Sequence, residues 1–74
     1  MGIEKNEEFA KRDIYIDYPF EQVMFRWSKK EKSFYRKFYG EIEYFEPIPN
    51  DNRLLNDALR FGDEIDIWEY KNGR

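Results

Sequence analysis

The sequence predicts a small α+β domain, an antiparallel sheet in the order β-β-β-α-β with one helix packed on one face. Three observations lead there. Apolar residues alternate with polar ones at residues 13–18, through much of 23–46 and again at 64–70, the period of a half-buried strand. Between Pro49 and Gly62 the period changes to that of a helix. A fifth of the 74 residues are aromatic, and large rings suit a pleated, half-buried surface.

The first strand covers residues 13–18. Ile14, Ile16 and Tyr18 point one way, Asp13, Tyr15 and Asp17 the other, and Pro19 ends the run. Residues 20–45 admit two readings. As one helix, Phe20, Val23, Met24, Trp27, Phe34 and Phe38 share a stripe, with Pro19 in the first turn and Gly40 just past the end. As a hairpin, Val23, Phe25 and Trp27 alternate with Met24, Arg26 and Ser28. A polar turn follows over 28–32, and Phe34, Phe38, Ile42 and Tyr44 then share a parity. The hairpin is favoured. The helical stripe is broken by Glu31 and leaves Phe25 and Tyr39 unburied, and the alternation runs past Gly40. In that reading Gly40 marks a bulge or a close backbone approach.

Pro47 and Pro49 close the long third strand. The run Asn50-Asp51-Asn52 offers an N-cap, Leu54, Leu55, Ala58, Leu59 and Phe61 recur at helical spacing, and Gly62 follows as the C-terminal stop. Arg60 sits in the last turn, where a cation favours the helix dipole. Residues 64–70, EIDIWEY, alternate again and predict a closing strand, with Trp68 and Tyr70 on its less apolar side. Residues 1–74 are expected to form a single small domain with flexible ends at about 1–11 and 71–74.

A chain this short buries only roughly 60% of its unfolded surface. It has no Cys and no His, so it forms no disulfide and no zinc site of thiolate or imidazole. Aromatic burial and oligomerisation are the remaining sources of stability, and a homodimer stays open. The first twelve residues lack the apolar core of an export signal, and no window approaches the roughly 20 apolar residues of a membrane span. The expectation is a cytoplasmic protein with no membrane segment.

The parts of most catalytic designs are missing. There is no imidazole base and no thiol nucleophile, Ser28 and Ser33 have nothing to activate them, and no glycine-rich phosphate loop exists. Carboxylates abound, but so small a domain offers little room for a cleft deep enough to shift their pKa values. No catalytic residue, metal site or cofactor is expected. Asp63, Glu64, Asp66 and Glu69 form the densest acidic group, yet they lack the spacing of a calcium loop and read as a solvated face.

The chain carries a net charge of −3, but the charge is unevenly distributed. Residues 26–39, RWSKKEKSFYRKFY, hold six basic residues against one acid, with five aromatic residues among them. Phe25, Trp27, Phe34 and Phe38 are expected in the core. Arg26, Lys29, Lys30, Tyr35, Arg36, Lys37 and Tyr39 are the candidate binding residues, because Tyr and Arg dominate interface hot spots and charge steers docking. The reading is a non-catalytic protein-interaction module, a regulator, inhibitor or accessory subunit, that docks on a protein partner through this basic aromatic hairpin. Two alternatives accompany it. The same cations and rings could bind single-stranded nucleic acid, although a pI near 5.0 is unusual for such modules. Or the acidic helix and last strand could form the working surface, an inhibitor of a basic protein.

Overall fold

The structure, a computed structural model, describes residues 7–49 and 51–73. Of the flexible ends expected at 1–11 and 71–74, residues 1–6 and the last residue, Arg74, lie outside the described residues, as does the cap candidate Asn50, whereas Glu7–Lys11 is a helix whose Phe9 packs against the core and residues 71–72 end the final helix. The elements are α1 (Glu7–Lys11), β1 (Ile14–Tyr18), a 3-10 turn (Pro19–Glu21), β2 (Val23–Ser28), β3 (Ser33–Phe38), α2 (Arg53–Phe61), β4 (Asp63–Ile65) and α3 (Ile67–Asn72). All pairings are antiparallel, in the order β3-β2-β1-β4. The fold is the α+β sheet with a packed helix read from the sequence, and residues 20–39 form the hairpin rather than one long helix.

Register explains the core. Ile16 lies opposite Phe25, Tyr18 opposite Val23, and Ile14 opposite Trp27, while Phe34 and Phe38 of β3 lie opposite Trp27 and Val23, so one face of the sheet is apolar across three strands except at Arg36, opposite Phe25. Helix α2 packs Leu55, Ala58 and Leu59 onto it, and Ile14, Ile16, Val23, Phe25 and Leu55 are completely buried. Full burial of such a side chain contributes roughly 1.5–3 kcal/mol each. At the open end of this face the rings of Phe9, Trp27 and Phe34 cluster with centroids 4.8–5.7 Å apart, and the Trp27 indole donates to the Phe9 carbonyl at 2.8 Å.

Helix α2 starts as the sequence indicates. The Asn52 side chain accepts from the Leu55 amide at 3.0 Å, satisfying one of the donors a helix start leaves open. Gly62 ends it for a different reason than expected. Its φ is −78°, not left-handed. A Cβ there would lie 2.6 Å from the Ala58 carbonyl oxygen, 2.8 Å from Ile16 Cγ2 and 2.9 Å from the Asp17 carbonyl oxygen. Glycine is needed for the close approach of α2 to β1.

Besides α1, which the predicted element order lacks, two elements differ from the sequence reading. Strand β3 ends at Phe38 rather than continuing toward Pro47. Gly40 adopts φ +77° with open space around it, and the chain reverses there in a turn. Residues 41–48 then run back along the outer edge of β3, with Tyr44 donating its amide to the Arg36 carbonyl and Ile48 to that of Phe34, both at 2.9 Å. The turn lets the chain pair with its own sheet edge instead of extending it.

The second difference is the closing segment. Only Asp63–Ile65 is strand. Asp66 caps α3, its carboxylate accepting from the Glu69 amide at 2.8 Å. The sequence carries the signal, since Asp66-Ile67-Trp68-Glu69 has the spacing of a capping box. The alternation of EIDIWEY concealed it, because Ile67, Tyr70 and Lys71 equally satisfy helical spacing. The sheet therefore has helices on both faces, α2 on the apolar one and α3 on the other.

Candidate functional site

The second face is built of polar and aromatic side chains around the buried Met24. Arg26 lies opposite both Tyr15 and Tyr35, and Met24 opposite both Asp17 and Lys37. The Arg26 guanidinium sits 4.6 Å over the Tyr35 ring, and the Tyr35 hydroxyl donates to the Glu31 carboxylate. Beyond the strand end, the Tyr39 hydroxyl donates to Asp17 Oδ1 at 2.5 Å.

The turn at Gly40 brings Glu43 back over this face. Its carboxylate takes Nε and an Nη of Arg26 at 2.8 and 3.1 Å, and the Tyr70 hydroxyl at 2.6 Å. Burial pushes the Glu43 carboxyl up, but the hydrogen bonds from Arg26 and Tyr70 and the charges of Arg26 and Lys37 outweigh it, and the net shift is below the ordinary value. Burial, then the bond to Glu43, raises the Tyr70 phenol far above its usual range. Arg26 is held charged by its bond to Glu43. Lys37 reaches the end of α3, donating to the carbonyls of Tyr70 at 2.6 Å and Lys71 at 3.0 Å, where a cation satisfies the terminal acceptors. The Tyr70 ring packs at a tilt against that of Tyr15, with centroids 5.2 Å apart. Expected on the less apolar side of a closing strand, Tyr70 is a buried residue of a helix, and it latches α3 to the sheet.

A cleft of about 450 Å³ opens beside this network, lined by Tyr15, Arg26, Lys37, Ile42, Glu43, Ile67, Tyr70 and Lys71. Its carboxylate already receives three donors and is held ionised, which leaves it poorly placed to take a proton. What the region presents is surface. Ile42, in the cleft lining, is 89% exposed and Ile67 is partly exposed, while Phe45 on the returning segment is 80% exposed beside the partly exposed Tyr44, and Trp68 on α3 is 67% exposed. An adjoining groove is lined by Asp13, Glu64, Asp66 and Glu69 around Ile65 and Ile67, with Arg12 bonded to Glu64.

The residues singled out from the sequence are thus divided three ways. Arg26, Tyr35, Lys37 and Tyr39 lie together on the α3 side, where Arg26 and Lys37 are engaged internally. Lys29 and Lys30 stand exposed in the β2–β3 turn, and the Lys29 amide donates to Asp13 at 2.8 Å. Arg36 does not join them. It lies opposite Phe25, on the α2 face at the outer strand, with its guanidinium 5.0 Å from the Tyr44 ring and 5.6 Å from that of Phe38. Strand parity required this, since residue 36 shares its side with 34 and 38. Glu43 and Tyr70, which organise the polar face, were not picked out from the sequence. Their meeting depends on two turns, at Gly40 and at Asp66.

A family model described as Tis1 immunity protein matches residues 1–74. The chain belongs to the Tis1 immunity protein family. Immune protein Tis1 of Pseudomonas aeruginosa (strain UCBPP-PA14) is 58% identical over 73 residues, covering 99% of this chain and 95% of that protein. Among solved structures, the crystal structure of the complex between the type VI effector Tas1 and its immunity protein contains a chain of the same fold. It is 58% identical with a TM-score of 0.92, covering 96% of this chain and 93% of that one. A family of immunity proteins fits the protein-interaction role read from composition and gives no support to the nucleic-acid alternative. Among the described residues, no helix is long and apolar enough to cross a membrane.

Proposed function

We propose that this protein is a non-catalytic inhibitor that binds and neutralises a type VI effector of the Tas1 kind, docking through its β2–β3 hairpin and the segment folded along the hairpin's outer edge. The observation that carries the reading is the 58% identity, over almost the whole chain, to an immunity protein whose solved counterpart is held in complex with Tas1. The location is supported by Ile42, Tyr44 and Phe45, three large residues exposed within four positions beside the hairpin. Exposed apolar groups gathered in one place are a feature of docking surfaces. Lys29, Lys30 and Lys32 at the tip would steer the approach.

The nucleic-acid reading is disfavoured by the same geometry. Arg26 is neutralised by Glu43 and Lys37 is capped by carbonyls, so two of the six hairpin cations are withdrawn from any phosphate track. The acidic reading has one observation in its favour, the groove of carboxylates next to the exposed Ile67 and Trp68. Titration calorimetry with the effector Tas1 of the solved complex tests the proposal. Specific saturable binding is expected. Loss of binding on Phe45→Ala with Ile42→Ser, and retention on charge reversal at Asp63 and Glu69, places the contact on the hairpin edge. The reverse pattern moves it to the acidic groove. Binding of a mixed-sequence single strand that weakens steeply with salt, with none to Tas1, would sink the protein-binding reading.

A further inference from the structure

We propose that Arg36 is the anchor at which this protein takes up a carboxylate side chain of its effector, beside the rings of Tyr44 and Phe38 at the outer edge of β3. The inference rests on the effector-binding reading above and supplies it with a contact. The geometry is that of a charge left unanswered. Arg26 is paired with Glu43 and Arg12 with Glu64, whereas the Arg36 guanidinium has no hydrogen-bond or ion-pair partner among the described residues, and its buried Nε is unsatisfied. Buried donors nearly always find acceptors, and an exception calls for an explanation. The acids of the returning segment do not supply one. Glu43 is engaged by Arg26 and Tyr70, and Glu46 accepts from the Tyr44 hydroxyl at 3.4 Å.

The surroundings fit a binding role. The guanidinium lies 5.0 Å from the Tyr44 ring and 5.6 Å from the Phe38 ring, which limits its rotamers before any partner arrives. The two terminal Nη groups of a guanidinium held in this way match a carboxylate through two parallel hydrogen bonds, while the Nε stays shielded. Phe45 packs at a tilt against Tyr44, with ring centroids 5.2 Å apart, and is 80% exposed, placed to exclude water around a new pair as rings do at interface hot spots. The local charge selects the ligand class. Glu41 and Glu46 share the returning segment with Tyr44, and they would repel a phosphate chain far more than a single carboxylate on a mixed protein surface.

The test uses the full chain, Tas1 as the probe, and the variants Arg36→Met and Arg36→Lys in surface-immobilised kinetics. Methionine keeps an apolar stem against the rings, and lysine keeps charge without the fork. Arg36→Met is expected to weaken binding by about thirty-fold or more, mostly through faster dissociation. Its thermal midpoint should match or exceed that of the unmodified protein, because an unpaired donor has been removed. Arg36→Lys should recover only a small part of the affinity. Affinity of Arg36→Met within about threefold of the original, or full affinity for Arg36→Lys, would overturn the proposal. So would a loss of binding matched by a loss of folded protein in both variants, which makes Arg36 structural. A single strand of mixed sequence that binds the unmodified chain but not Arg36→Met would replace the carboxylate with phosphate. If the unmodified chain does not bind Tas1 at all, the proposed function fails and takes this contact with it. Unchanged binding by the variants removes the contact alone.

Discussion

The two faces of the sheet are held by different physics. On the α2 face, Ile14, Ile16, Val23, Phe25, Leu55 and Ala58 are completely buried, and cohesion comes from area removed from water and from close packing. On the α3 face, Arg26, Glu43, Tyr70 and Lys37 are tied by hydrogen bonds of 2.6–3.1 Å, and cohesion depends on each donor finding its acceptor. The first face is sensitive to volume and indifferent to pH. The second is sensitive to single atoms and to protonation. The contrast identifies the face that can be altered for function. The polar face and the edge beside it can change partners without emptying the core.

The strongest challenge to this contrast is Phe25→Ala, which removes a fully buried ring. It should cost about 3–5 kcal/mol in a denaturant titration, enough to leave so small a domain marginal. A cost near that of a surface change would mean that the α2 face is not the core. Next comes Gly62→Ala, where the new Cβ meets two backbone oxygens within 3 Å. A loss of about 1–3 kcal/mol is expected from overpacking, read as a lower thermal midpoint. An unchanged midpoint would show that α2 can shift away from β1 freely.

Glu43→Gln probes the polar face. It removes a charge that Arg26 pairs with at 24% and 30% side-chain exposure, and solvent screening keeps the cost to about 1–2 kcal/mol at neutral pH. Glu43 titrates below its ordinary 4.5 in the fold. Its contribution is therefore present above the unfolded value and lost as pH falls through the folded one. Stability of the unmodified protein should decline on acidification through that range, and Glu43→Gln should flatten the decline. A variant with the same acid profile as the original would show that Glu43 is not the group responsible. Tyr70→Phe deletes one hydroxyl donor and keeps the ring on Tyr15, for a loss of about 1 kcal/mol; a loss equal to that of Phe25→Ala would erase the distinction between the faces. Smallest of all is the turn. Lys29→Gln with Lys30→Gln should leave the unfolding midpoint where it was, and slow association with Tas1 through weaker steering. A change in dissociation instead would place these lysines inside the contact.

The apolar half of this protein is legible in its amino-acid sequence alone. Period-two alternation at Ile14–Tyr18 and Val23–Ser28, the helical spacing of Leu55, Ala58 and Leu59, and the Asn52 cap are local regularities, and they fix both the α+β class and the core. Net charge, the missing His and Cys, and the Tyr- and Arg-rich hairpin pointed to a binding protein rather than an enzyme. Tertiary structure decided the rest. Whether residues 64–70 continue as strand or turn into α3 depended on two patterns equally satisfied by the same residues, and capping by Asp66 with the docking of Tyr70 on Tyr15 selected the helix. Where the third strand stops depended on Gly40 reversing the chain, which put Glu43 on Arg26 and Tyr44 over Arg36. Those contacts join residues 17 and 27 positions apart along one strand-to-helix path, Arg26 to Glu43 and Glu43 to Tyr70. Sequence periodicity describes which side of its own element a residue occupies, and it holds no information about partners that only a turn brings together.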